Sequence, residues 1–313
     1  MGLSSLLYNT IATQIIECGS FLVGLPLTPR EDLVLITGGS NGLGLELAKL
    51  FKKKGYNIII ADIAPPPQDI YSTSSNSRMN NRVLYFRCNV SKWENIIELY
   101  NYIQEQQIGI VTILINNAAI VTGTKLENTS DDKIENTIGT NYESCFYTIH
   151  KFLPDMLLHK KGVIVNISSV LGLVSPAKLT AYGSSKGALI CLHECLQSEL
   201  IEMRKSSSRV NSTSKALISD SGFIRTLLVC PGQIKTQMFE GVVTPCSLIA
   251  PVLEPDRLSK DIYNAIAHNK GILMLPLYTN LTPLFKGLAW PYMSISRFIM
   301  GMDKSMDTYK SKI

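Results

Sequence analysis

Apolar positions recur along the chain in two alternating modes. Short continuous runs at Leu33–Thr37, Asn57–Asp62, Val83–Arg87, Ile113–Asn116, Val163–Ser168, Phe223–Val229 and Ile272–Leu275 read as strands buried on both faces. Between them lie stretches with apolar residues at helical spacing: Leu43–Lys54, a segment from Ser91 to about Gln106, one from about Asp131 to Met156, and Tyr182–Met203. Ser91 and Glu94 have the spacing of a capping box at the start of the second of these. Strands alternating with helices predict an α/β fold, a doubly wound parallel sheet of about seven strands in a single domain. Residues 64–82 (rich in Pro, Ser and Asn) and 205–221 (rich in Ser) read as surface loops. The expected organisation is an apolar N-terminal segment 1–29, a domain 30–275, and an apolar helical segment with a tail at 276–313.

Composition sharpens this picture at the two ends. Only 18% of the 313 residues are charged and 45% are hydrophobic. The mean hydropathy is positive, +0.14. A soluble domain usually carries about a quarter charged residues. Leu6–Leu27 is largely apolar, although Thr10, Thr13, Gln14, Glu17 and Ser20 interrupt it, and no Lys or Arg precedes Arg30. The basic start of a secretory signal is therefore missing. The run also lacks the roughly 18 uninterrupted apolar residues of a spanning helix. It reads as an interfacial anchor in a bilayer or as an extra helix packed on the domain. Residues 276–300 carry Leu277, Tyr278, Leu284, Phe285, Trp290 and Phe298 with Lys286 and Arg297. They suit a membrane surface, a homodimer interface or core packing. Residues 236–250, with Met238, Phe239, Val242 and Val243, read as an apolar lid over a substrate.

The net charge of +5 is diffuse and excludes a nucleic-acid partner. Seven cysteines, an odd number without a Cys-x-x-Cys pair, argue for a reducing compartment rather than a disulfide framework. Cys191 and Cys195 with His193 between them lack further metal ligands, and His150, His159 and His268 are scattered. No metal is expected.

Thr37-Gly38-Gly39-Ser40-Asn41-Gly42-Leu43-Gly44 follows the first strand and opens the first helix. A helix N-terminus presents unpaired N–H groups and about half a positive charge, which suits a pyrophosphate. Glycines let the backbone approach the phosphates, so a dinucleotide-binding fold of the Rossmann type is expected. Asp62 ends the second strand, where a carboxylate accepts from ribose hydroxyls and repels a 2′-phosphate. Asn41 and Ile63 offer no basic group to such a phosphate. NAD is favoured over NADP.

Tyr182 and Lys186 lie four apart on one helix face. An isolated Tyr, with pKa near 10, needs about 4 kcal/mol of preferential tyrosinate stabilisation to act as a base at neutral pH. A Lys cation and a nicotinamide positive charge are the expected sources. The tyrosine then takes a proton from an alcohol, or gives one to a carbonyl. Ser169, 13 residues earlier at the end of the fifth strand, stands where ligands bind in such sheets.

The chain resembles the short-chain dehydrogenase/reductases over roughly residues 31–240. The resemblance rests on Thr37-Gly38-x-x-x-Gly42-x-Gly44, Asn116-Asn117-Ala118-Ala119, Asn141, Ser169, Tyr182-x-x-x-Lys186 and Pro231-Gly232. It implies that Asn141 holds a water in a proton relay and that Ser169 polarises the substrate oxygen. It further implies that Tyr182 is the acid/base and that Lys186 also binds the nicotinamide ribose. The implied cofactor contacts are Gly38, Ser40, Asn41, Gly42, Leu43, Gly44, Asp62, Asn89, Asn117, Tyr182, Lys186, Ile234 and Thr236. Ala119 stands where the family usually has Gly, and Asn89 where it usually has Asp.

Phe152–Met156, Gly162–Ser169, Lys235–Gly241 and Gly301–Met306 resemble the branch of retinol dehydrogenases and 17-beta-hydroxysteroid dehydrogenase type 11. That branch implies residence on the cytoplasmic face of the endoplasmic reticulum membrane or on a lipid droplet. It also implies a small lipophilic alcohol or ketone as substrate. The expected function is hydride transfer between a nicotinamide cofactor and the CH–OH or C=O group of a retinoid, steroid, fatty or sphingoid lipid. The alternative is a catalytically silent NAD-binding scaffold or sensor on a lipid surface, which predicts a damaged catalytic set.

Overall fold

The computed structural model describes residues 27–71, 82–210, 224–242 and 251–276, with 279–280, 282–283, 291, 295, 305–306 and 309; the side chains of 204–210 are outside it. Outside the described residues lie nearly all of the expected anchor 1–29, positions 72–81 and 211–221 of the two loops, 243–250 of the expected lid, and most of 276–313.

Seven strands form one parallel sheet: β1 (Leu33–Thr37), β2 (Asn57–Asp62), β3 (Val83–Arg87), β4 (Val111–Asn116), β5 (Gly162–Ile167), β6 (Ile224–Pro231) and β7 (Ile272–Leu275). Their order is β3-β2-β1-β4-β5-β6-β7. The helices are α1 (Gly42–Lys53), α2 (Trp93–Glu105), α3 (Asp131–Ile138), α4 (Ser144–Leu158), α5 (Thr180–Val210) and α6 (Pro255–Ala267). Side chains of a strand alternate between the faces of a sheet. Leu33 and Leu35 of β1 join one core with Ile96 and Leu99 of α2, Phe152 of α4 and Leu189 of α5. Val34 and Ile36 join the other with Leu47 and Phe51 of α1 and Ile262 of α6. Burial on both faces explains the unbroken apolar runs in the sequence. Each such side chain contributes about 2 kcal/mol of hydrophobic stabilisation.

β1 pairs in parallel with both β2 and β4, so the strand order reverses between β1 and β4. The crevice at the carboxyl ends of those strands is where ligands bind in such sheets. At the opposite edge, fully buried Asp32 is paired with Lys161 at 2.8 Å and accepts from the hydroxyl of Thr112 and the backbone N–H of Thr28. Leu27 packs against the adjoining core.

Three local expectations change. The helical stretch expected at 131–156 is α3 and α4 joined by a π turn, Gly139–Glu143. Ser91 is not a cap: α2 begins after Lys92, which makes no side-chain cap bond. The Ser91 hydroxyl and N–H both donate to Asn89 Oδ1 in an Asx turn before the helix. α5 runs to Val210, past Met203 and into the Ser-rich stretch.

Candidate active site

The glycine loop leaves β1 at the switch point. Gly38 has φ +64°, and a Cβ there would lie 2.8 Å from Ala118 Cα. Gly44 has no room at all: a Cβ would collide with Gly38 O and lie 2.6 Å from Asn117 Nδ2. The loop thus needs glycine for backbone conformation at one position and for packing at the other. Asn117 uses both amide protons to hold this loop, donating to the carbonyls of Thr37 and Gly38. Its N–H bonds the Thr37 hydroxyl. Asn117 therefore braces the cradle.

Asp62 Oδ2 accepts the N–H of Ser40 at 3.0 Å, and Oδ1 accepts that of Ala64. Ser40 is buried, and its hydroxyl turns to Ala64 O, away from the crevice. Asn89 follows β3, the strand paired with β2, and the preceding Cys88 N–H donates to Asp62 O. Asn41 precedes α1 without a side-chain cap bond, and the first turn of α1 carries no acidic residue. Gly42 has φ +54°, and the Thr236 methyl lies over it, 3.2 Å from where a Cβ would stand. Leu43 is buried in the core below. Ile234 bridges to Leu253, which ties the Pro231–Thr236 turn to the segment before α6. An open, acid-free helix N-terminus behind a glycine cradle fits the pyrophosphate of a dinucleotide. Asp62 and Asn89 lie on the β2–β3 side of this cradle, and Thr236 on the Gly42 side.

The second group gathers at the ends of β4 and β5. Ser169 Oγ accepts from Leu171 N–H at 3.1 Å and reaches Pro231 O at 3.4 Å. It also lies close enough to the Tyr182 phenol to favour its charged form. Tyr182 and Lys186 stand on the first turns of α5, both buried. Lys186 Nζ donates to Ile167 O at 2.8 Å and sits 5.9 Å from the centre of the Tyr182 ring. The Ser168 hydroxyl donates to Lys186 O and fixes α5 against β5. Phe239 meets the Tyr182 ring edge to face at 5.8 Å.

Asn141 lies within the π turn, fully buried. Its amide donates to Ile120 O and Ser185 Oγ, and its Oδ1 accepts Ile120 N–H. Every side-chain polar atom is thereby used. Ser185 and Ile120, which the sequence reading did not single out, link Asn141 to α5 and to the segment after β4. Only the convergence of the fold reveals them.

Burial dominates the electrostatics of the two groups. Burial pushes the Tyr182 phenol up to about 12, with Ser169 opposing the rise. Burial pushes Lys186 down to about 8, with Cys145 and Cys230 nearby favouring its charge. Desolvation outweighs the opposing effect of Ser169, so burial alone keeps the tyrosine protonated at neutral pH.

A parallel doubly wound sheet, a phosphate cradle and a buried Ser, Tyr and Lys at one crevice define a dinucleotide-dependent oxidoreductase class. The chain belongs to the short-chain dehydrogenase family, whose model, described as short chain dehydrogenase, matches residues 32–246. It is a dehydrogenase of a family that uses nicotinamide cofactors. An uncharacterized oxidoreductase of Saccharomyces cerevisiae is 40% identical over 295 residues, covering 92% of this chain and 90% of that protein. Epidermal retinol dehydrogenase 2 of Homo sapiens is 32% identical over 245 residues, covering 78% of this chain and 74% of that protein. The solved structure of 4-hydroxyisoleucine dehydrogenase complexed with NADH matches with a TM-score of 0.62 at 22% identity, covering 78% of this chain and 96% of that one. That last likeness concerns the fold.

Proposed function

We propose that this dehydrogenase acts with NAD rather than NADP on the CH–OH or C=O group of a lipophilic alcohol or ketone of the retinoid, steroid, fatty or sphingoid class. The observation that carries the reading is the meeting of Ser169, Tyr182 and Lys186 beside apolar side chains such as Val121, Leu179 and Phe239. When bound, the nicotinamide takes or returns the hydride. Ser169 donates a hydrogen bond to the substrate oxygen. Tyr182 gives its phenolic proton to a carbonyl oxygen, or as phenolate removes the proton of an alcohol. Lys186 holds a positive charge behind the phenol and contacts the cofactor ribose. Because the side chain of Asn141 is fully engaged, any water it holds meets its backbone carbonyl.

The NAD preference is supported by the carboxylate of Asp62 and by the uncharged, exposed Ile63 next to it. Replacing both, Asp62→Ser with Ile63→Arg, should raise kcat/KM with NADP at least tenfold relative to NAD. An unchanged ratio would remove Asp62 from this role.

A place on the cytoplasmic face of the endoplasmic reticulum membrane or on a lipid droplet is supported by the apolar residues before Leu27 and by the retinol dehydrogenase relative. Among the described residues no helix is long and apolar enough to cross a membrane. The test of the function is a screen of retinoids, steroids, fatty alcohols and sphingoid ketones with both cofactors. Turnover of a lipophilic member with NAD supports the reading, and turnover confined to small polar alcohols refutes it.

A further inference from the structure

We infer that Met306 and Tyr309, near the end of the chain, form part of the substrate-pocket wall and bind the apolar body of the substrate. The inference rests on the reading of Tyr182 as the acid/base. Met306 is only 2% exposed and shares one buried cluster with Val121, Leu179 and Tyr182. Tyr309, Met238 and Phe239 pack against the same cluster. The tail thus reaches the surroundings of the Tyr182 ring from more than a hundred residues away in sequence.

Two observations show that Met306 and Tyr309 are seated rather than laid on the surface. Tyr309 Oη donates to Val121 O at 3.3 Å, and Tyr309 N–H closes a turn onto Met306 O. Gly123 supplies the second. It has no left-handed φ that would require glycine, yet a Cβ there would collide with Cδ1 and Cε1 of the Tyr309 ring and lie 2.9 Å from Met306 Cε. The space that a side chain at 123 would fill is occupied by the tail. Both contacts fasten it to the segment that leaves β4 at the crevice. Met306 and Tyr309 also lie beyond residues 32–246 that match the family model. The specificity they confer is therefore written in the chain's own end and not in the shared core.

A side chain that only staples the tail affects all substrates alike. One that touches the apolar body affects long substrates and spares short ones. The experiment uses the full chain with NADH and a series of ketones from butan-2-one to tetradecan-2-one. Met306→Ala and Tyr309→Ala are expected to raise KM for the long ketones about tenfold, the loss of one or two buried methylene equivalents. The kcat values, the KM for NADH and the values for butan-2-one should stay within about twofold. Gly123→Ala displaces the ring from the other side and should have the same signature. In the Tyr309→Ala background it should cost almost nothing, because the ring is already gone. Equal losses across the series, or independent effects of Gly123→Ala and Tyr309→Ala, would overturn the inference. If no ketone is turned over, the function reading fails separately. Calorimetric titration of decan-2-one into the NAD-loaded protein then decides the wall: about tenfold weaker binding by Tyr309→Ala supports it, and unchanged affinity overturns it.

Discussion

At the residue scale, burial sets the charge states. Tyr182, raised to about 12, and Lys186, lowered to about 8, leave the neutral-pH site with a phenol and a lysine cation. That state is ready to protonate a carbonyl. Oxidation of an alcohol needs the phenolate, so its rate should climb as pH rises above 7. Reduction should fall above about pH 8 as Lys186 loses its proton. Paired pH profiles for the two directions check this, and parallel profiles would contradict it.

His193 makes a second pH-dependent contribution, to stability. The Thr148 hydroxyl donates to Asn116 Oδ1, Asn116 Nδ2 to Asn166 Oδ1, and Asn166 Nδ2 meets His193 Nδ1. Nδ1 is thereby an acceptor, and the ring is neutral with its proton on Nε2, an atom without a partner among the described residues. Burial lowers the pKa from 6.5 to about 4. Between those values the unfolded chain binds more protons than the folded one, so stability is full above pH 6.5 and falls toward pH 4. The loss is about 3 kcal/mol. Denaturant melts across that window should show it, and His193→Gln should flatten the slope.

At the scale of elements, the chemistry was legible where it demands particular residues in a row. The cradle from Gly38 to Gly44, Asp62, Ser169, Tyr182 and Lys186 all fall at strand ends or on the first turns of α1 and α5, as the sequence implied. The π turn at Asn141 was not legible, because the weak helix formers Gly139, Thr140, Asn141 and Tyr142 mark no particular departure from a helix, and the partners of Asn141, Ile120 and Ser185, come from distant segments. The Ser91 cap failed because α2 begins after Lys92, one residue later than the box requires. Tight packing of the cradle makes a sharp prediction. Gly44→Ala should reduce NAD affinity at least tenfold and lower stability by about 2 kcal/mol through overpacking, as read by cofactor titration and thermal melts. Unchanged binding would show that the loop tolerates what its geometry forbids.

For the whole molecule, the two ends of the strands do different work. The carboxyl end carries the site. The other end is closed by Asp32, held by Lys161, Thr28 and Thr112. Lys161→Met removes the cation paired with this buried carboxylate, leaving Arg225 as the remaining nearby charge, and should cost about 3 kcal/mol with kcat little changed. The same cluster informs the test of membrane attachment. A truncation that begins at Leu27 keeps Thr28 and its bonds to Asp32, and it should move the protein into the soluble fraction if the apolar leader holds it to lipid. Continued pelleting with membranes would place the attachment elsewhere. Sequence alone pointed to apolar excess at both ends, yet it did not reveal that Met306 and Tyr309 reach the surroundings of Tyr182. Contacts between residues so far apart leave no local periodicity.

The central claim is that Tyr182 moves the proton while the cofactor moves the hydride. Its most direct test is Tyr182→Phe, followed by nicotinamide absorbance on a lipophilic alcohol or ketone that the unaltered enzyme turns over, with NAD affinity measured in parallel. The account predicts that turnover falls by about a thousandfold or more while NAD affinity stays within about twofold. Turnover that persists undiminished in the Phe variant would contradict it.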